Sequence, residues 1–117
     1  MVWSTLAAAR SIEQRLGDRA TDEAEVVGNH YLEAAEVEPT VRYLGIAAER
    51  ALDRYAIDEA DTLCGSAYRL LVDAATADER RTHLGPLLVR WVLVHYYRGT
   101  WRQATDLLAL HDDEITA

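Results

Sequence analysis

Pro86–Tyr97 reads Pro-Leu-Leu-Val-Arg-Trp-Val-Leu-Val-His-Tyr-Tyr, the most apolar run of the chain. Taken alone, the Val-rich centre Leu87–Val94 has the composition of a buried strand. A strand needs a partner strand, and no second β-like run exists in the 117 residues. The segment therefore reads as a helix from Pro86 to about Arg98. That choice makes the whole chain all-α.

Working outward, Gly99 ends this helix, and Thr100-x-x-Gln103 has the pattern of a capping box for the last one. That helix carries Trp101, Ala104, Leu107, Leu108 and His111 on adjacent turns. Upstream, Asp78 begins a short charged turn of helix that Gly85-Pro86 is expected to interrupt. Asp58 is placed to cap a fourth helix with the stripe Leu63, Ala67, Leu70 and Leu71. A third, roughly Thr40–Tyr55, carries Val41, Leu44, Ala47, Ala48, Ala51 and Leu52. Thr21 opens a second, with Val26, Val27, Tyr31, Ala34 and Ala35, and Pro39 is expected to stop it and to be able to sit at or near the next start. Ser4 would cap the first, whose apolar positions are Leu6, Ala9, Ile12 and Leu16, and Gly17 would end it. Six helices with short connections imply antiparallel neighbours in a single all-α domain over residues 1–117.

Composition narrows the function classes. The chain carries twelve basic and twenty acidic residues, a net charge of −8, and every basic residue is Arg. Such a surface repels nucleic acid and anionic lipid unless the arginines gather on one face, and solvated helix faces are the plainer reading. The lack of Lys beside abundant Ala, Asp, Glu and Arg resembles chains of high-GC or salt-adapted organisms. One cysteine, Cys64, excludes an internal disulfide and a thiolate zinc site, and it sits on an apolar stripe like a core residue. No run approaches the roughly 20 apolar residues of a membrane span. MVWSTLAAARSIEQR lacks the form of a secretory signal, so a cytoplasmic protein is expected.

The helix starts also echo one another. Thr21-Asp22-Glu23-Ala24, Ile57-Asp58-Glu59-Ala60 and Trp101-Arg102-Gln103-Ala104 are each followed three positions later by Val27, Leu63 or Leu107. Their alanines lie 36 and 44 residues apart, which divides the chain into hairpin units near 4–37, 39–76 and 78–115. Tyr96-Tyr97-Arg98-Gly99-Thr100-Trp101-Arg102-Gln103-Ala104 resembles the centre of a tetratricopeptide repeat. That family has Gly in the turn, an aromatic two residues on, and a small residue three further. Tyr55 replaces the Gly in the second unit, and Gly17 falls about two residues early in the first. The expected architecture is three antiparallel hairpins, as a tetratricopeptide-like stack or a compact bundle.

Two function classes follow. In a stack, the first helices of the units line a shared surface that binds a protein or peptide, or a second copy of the chain. Tyr43, Trp91 and Tyr96 are candidate aromatic anchors there, and Arg42, Arg50 and Arg90 candidate clamps for acidic groups. Core packing is the competing reading for Trp91 and Tyr43. The alternative is enzymatic: Arg90-x4-His95 with its Leu-Val-His-x-Tyr tail resembles the active segment of HEPN-domain ribonucleases. The resemblance implies a dimer in which His95 and Arg90 act on an RNA phosphate. Trp91 stands where that family commonly has a polar residue, and five positions put Arg90 and His95 about 140° apart round a helix.

Acidic pairs Glu33-x-x-Glu36 and Asp58-x-x-Asp61 each share a helix face, as in the MazG-type pyrophosphohydrolases, which hold Mg²⁺ between facing helices. Asp58 has a simpler role as a cap, and the two pairs stand a whole helix further apart than in that family. His30, His83 and His111 have no partners at ligand spacing, and His111 begins an acidic end expected to fray. No phosphate loop or nucleophile motif is present, so neither a metal nor a cofactor is expected.

Overall fold

The computed structural model describes residues 2–116, with side chains from Thr5 onward. Its elements are α1 (Val2–Leu16), a 3₁₀ turn (Gly17–Arg19), α2 (Ala24–Glu33), α3 (Val37–Asp53), α4 (Ile57–Ala74), α5 (Ala77–Arg98), α6 (Trp101–Leu110) and α7 (Asp112–Thr116), with no strand among the described residues. The all-α reading of Leu87–Val94 therefore holds.

The helix ends depart from expectation where local chemistry was misread. Ser4 lies inside α1, which already runs from Val2. Gly17 does end α1, with φ +55°. The second helix starts at Ala24 rather than Thr21, and it stops at Glu33, well before Pro39. Pro39 sits in the first turn of α3, near the next start as expected, where its missing N–H has no intrahelical partner to lose. Asp58 does not cap α4: Ala56 holds that place, and Asp58 joins Glu59 in the first turn, where the dipole favours acids.

The largest difference is at Gly85-Pro86, where no break occurs. The expected short turn and the fifth helix are one 22-residue helix, α5. Pro86 lies on its solvent-facing side, and so does Thr82, whose carbonyl the proline leaves without a partner in the ladder. Water can satisfy that carbonyl, which softens the usual penalty. A full capping box starts α5: Thr76 Oγ1 accepts from Glu79 N at 3.1 Å, and the Glu79 carboxylate accepts from Thr76 N at 2.9 Å. The box expected at Thr100-x-x-Gln103 does not form, because the Thr100 hydroxyl is turned toward His95.

Three of the turns are built alike. Ala35, Tyr55 and Gly99 have φ of +56°, +61° and +80°, each one residue past a helix cap or at it. Each turn closes two bonds: Glu36 N to Tyr31 O and Ala35 N to Leu32 O, Ala56 N to Ala51 O and Tyr55 N to Leu52 O, Thr100 N to His95 O and Gly99 N to Tyr96 O, all 2.8–3.3 Å. This is the Schellman pattern. Two residues beyond the left-handed position the next helix begins, at Val37, Ile57 and Trp101. Five residues beyond it stand Thr40, Ala60 and Ala104, all buried. The alanine echo is therefore corrected. Ala60 and Ala104 are equivalent, but Ala24 is buried as the first residue of α2, after a 3₁₀ turn of different form. Thr40 fills the third place, its hydroxyl returned to Glu36 O at 2.6 Å.

One continuous apolar core joins α1 through α5, with Leu44, Leu71, Leu87 and Leu88 at its centre. Helix α3 is the hub and packs against α2, α4 and α5. Gly28 lets α2 close on α3: a Cβ there would fall 2.6 Å from Leu44 Cδ2 and 3.2 Å from the Leu44 backbone nitrogen. The molecule measures 41 × 33 × 21 Å, about two helix diameters thick. The acidic end is held rather than frayed. His111 is buried, with Nε2 2.5 Å from the Tyr68 hydroxyl and Nδ1 3.0 Å from Glu114, while Arg80 forks onto Glu114 at 2.7 and 2.9 Å. The bonds from Arg80 and His111 hold the Glu114 carboxyl down at about 2.

Candidate functional site

From Gly85 to Tyr97 helix α5 is apolar around most of its circumference, and only one side of it is covered. Leu84, Leu87, Leu88, Val94 and His95 face the interior. Pro86, Val89, Leu93 and Tyr96 follow at spacings of three, four and three, which places them on a second face. That face is open: Val89 is 72%, Leu93 46% and Tyr96 55% exposed. Between it and α3 runs a groove of about 480 Å³, with Glu49 and Leu52 on the α3 side and Trp101, 57% exposed, at its end.

The turn at Gly99 sets that end. By folding α6 back against α5 it brings the Trp101 ring edge-on to Tyr96 at 4.9 Å, while Tyr97 meets Tyr96 edge-on at 5.4 Å. Trp101, the aromatic two residues past the turn glycine, thus stands mostly outside the hairpin. Tyr96 is the one predicted anchor that reaches this open face.

The other predicted binding residues are already engaged. Tyr43 is buried and stacks in parallel on Tyr31 at 6.3 Å; both hydroxyls donate to the Glu13 carboxylate, that of Tyr31 at 2.6 Å. Burial, and then the hydrogen bond to Glu13, raise both phenols, Tyr31 to about 12. Burial raises the Glu13 carboxyl as well, but the two tyrosine bonds outweigh it and leave the group below its ordinary value. Arg42 lies 4.7 Å over the Tyr43 ring and bonds Glu38 at 3.0 Å. Arg50 donates to Thr21 O and approaches Asp22 at 3.9 Å, tying α3 to the segment before α2. Trp91 is half-buried, donates to Asp61 at 2.9 Å and tilts against Tyr68. Core and interhelical roles therefore account for Tyr43 and Trp91.

Arg90 and His95 are not brought together within one chain. Arg90 lies in the apolar groove, 3.5 Å from Glu49, with its guanidinium resting where Gly45 has no Cβ. His95 is 7% exposed, 2.5 Å from the Thr100 hydroxyl, and stacked on Trp91. It borders a different cleft with Asp61, Arg98 and Gln103, in which Asp61 accepts from both Trp91 and Arg98. Burial pushes the Cys64 thiol up to about 12, far from a reactive thiolate. Among the described residues, no three His, Cys, Asp or Glu side chains are grouped to hold a metal, and no helix is long and apolar enough to cross a membrane.

Val89, Leu93 and Trp101 escaped the sequence reading. The signal was present: a helix with apolar residues on every side has more faces than one core can cover. The class defined is an all-α helical domain with an open apolar face along its longest helix. No family model, curated protein or solved structure matches the chain.

Proposed function

We propose that this chain is a protein-interaction module that docks a protein or peptide along the outer face of α5. The observation that carries this is the contiguous exposure of Val89, Leu93, Tyr96 and Trp101 beside an apolar groove. Large exposed apolar patches on a folded domain mark interaction sites far more often than they occur idly. The half-exposed rings of Tyr96 and Trp101 are the residue types that dominate binding energy at interfaces. The groove runs between α3 and α5, the helices that the tetratricopeptide-like reading assigns to the shared surface, and of the side chains expected there Tyr96 and Arg90 line it.

The test uses the full chain in its native cells, with a photo-crosslinking amino acid at Leu93 or, as control, at Val26 on α2. Discrete adducts from position 93 alone support the reading. Equal labelling at both positions, or none at 93, overturns it. A parallel RNA-degradation assay of the wild type and His95→Ala is expected to show no cleavage by either. Cleavage that vanishes with His95 would replace docking by catalysis.

A further inference from the structure

We propose that the occupant of the α5 face is a second copy of this chain, paired about a two-fold axis through α5. The inference rests on the docking role just given and names its partner.

Three observations support it. The first is charge. The chain carries a net charge of −8, so two copies repel wherever their acidic surfaces meet. From Gly85 to Tyr97 the only charged side chain is Arg90, and Glu49 stands 3.5 Å from it. This is a neutral window in an acidic molecule, where a like-charged copy can approach. A basic or acidic partner finds little there to recognise.

The second is shape. Val89, Leu93 and Tyr96 are exposed and form the α5 wall of the groove between α5 and α3, an apolar ridge along the helix. A two-fold operation lays the ridge of one copy into the groove of the other and does the same in reverse. Such self-complementarity is what an isologous interface requires. The 3-4-3 spacing of the stripe is also that of the seam along which paired helices interlock.

The third is extent. A standard interface takes about 800 Å² from each partner. Tyr96, Tyr97 and Trp101 together offer roughly 300 Å² from their exposed halves. Val89, Leu93 and Pro86 extend the patch along α5, and the exposed Leu108, seven residues after Trp101, lies on the same side of α6 as that ring.

The experiment is the mass of the full chain in solution by analytical ultracentrifugation, across micromolar concentrations at low and high NaCl. The wild type is expected at twice 13.1 kDa, with association strengthened by salt because screening relieves repulsion between copies. Val89→Asp and Leu93→Asp, both at exposed positions, should keep the wild-type helicity and weaken the dimer by about 100-fold or more, because each interface then holds like charges. Val26→Asp, on the exposed side of α2, should leave it intact. A wild type that stays monomeric at high concentration and high salt overturns the second copy. A dimer indifferent to both α5 substitutions, or equally sensitive to the α2 one, overturns it too. Crosslinks from Leu93 to a different protein, with no dimer, would sink this inference and leave the docking role standing.

Discussion

Tyr55 occupies a left-handed backbone position, φ +61°, that an L-residue adopts only at a cost. Its side chain is 78% exposed, so little packing offsets that cost. Replacing it with Gly relieves about 1–2 kcal/mol of backbone strain. Against this, the unfolded chain gains freedom worth about 0.4–1 kcal/mol. The net expectation for Tyr55→Gly is a stabilisation of about 0.5–1 kcal/mol, or roughly 2–6 °C in Tm for a domain of this size. Ala35→Gly, at φ +56°, should move in the same direction without removing any aromatic ring. Gly99→Ala, at φ +80°, should lose about 1 kcal/mol. Urea unfolding followed by far-ultraviolet circular dichroism measures all three. A Tyr55→Gly variant less stable than wild type would show that the tyrosine ring stabilises the fold in a way the turn geometry does not. A neutral Gly99→Ala would refute the claim that the three turns share one constraint.

Two further predictions separate close packing from surface effects and place a titration. Gly28→Ala forces a methyl against the buried Leu44 and its backbone, and should cost about 1–2 kcal/mol, whereas Gly45→Ala meets only the mobile end of Arg90 and should stay within about 0.5 kcal/mol; paired denaturation curves compare them. The Glu114 carboxyl is lower in the folded chain than its ordinary value of 4.5. Its contribution is therefore complete above about pH 4.5 and fades as the pH falls toward 2. Once divided by the intrinsic exchange rate at each pH, amide protection in α7 should fall over that window in the wild type, and Glu114→Gln should abolish that fall; wild-type protection that stays constant would refute the role given to the Arg80–Glu114–His111 contacts.

What could be read from the sequence was set by the range of the forces involved. Of the expected stripe Leu63, Ala67, Leu70 and Leu71, all but the half-buried Leu70 are buried in α4, because helical periodicity is a local property. Caps were less legible, since a hydroxyl bonds whichever neighbour the tertiary fold supplies. Thr100 turned to His95, while Thr76-x-x-Glu79 formed the box its sequence spells out. Pro86 was misread because a proline's cost depends on which side of the helix faces water, and one sequence does not show that. The candidate site was half visible. Tyr96 could be named from its residue type, but the burial of Tyr43 depends on Glu13, thirty residues away, accepting its hydroxyl.

The same long-range dependence explains why α5 is the informative element. Its run of apolar residues made it helical by elimination, yet that run exceeds what the core of a molecule 21 Å thick can cover. With α3 and α4 against one side, the remaining stripe must face outward, and α6 brings Trp101 to the groove beside it. Burying that stripe inward would require rolling α5, which would expose Leu87, Leu88 and Val94 and leave His95 without Thr100. The fold thus fixes the orientation of the helix through its better-packed side and leaves the second side as a consequence. An apolar face produced in this way gains its full stabilisation only when another surface closes over it. This is the physical reason for proposing a docking role at that face and not at the cleft beside His95.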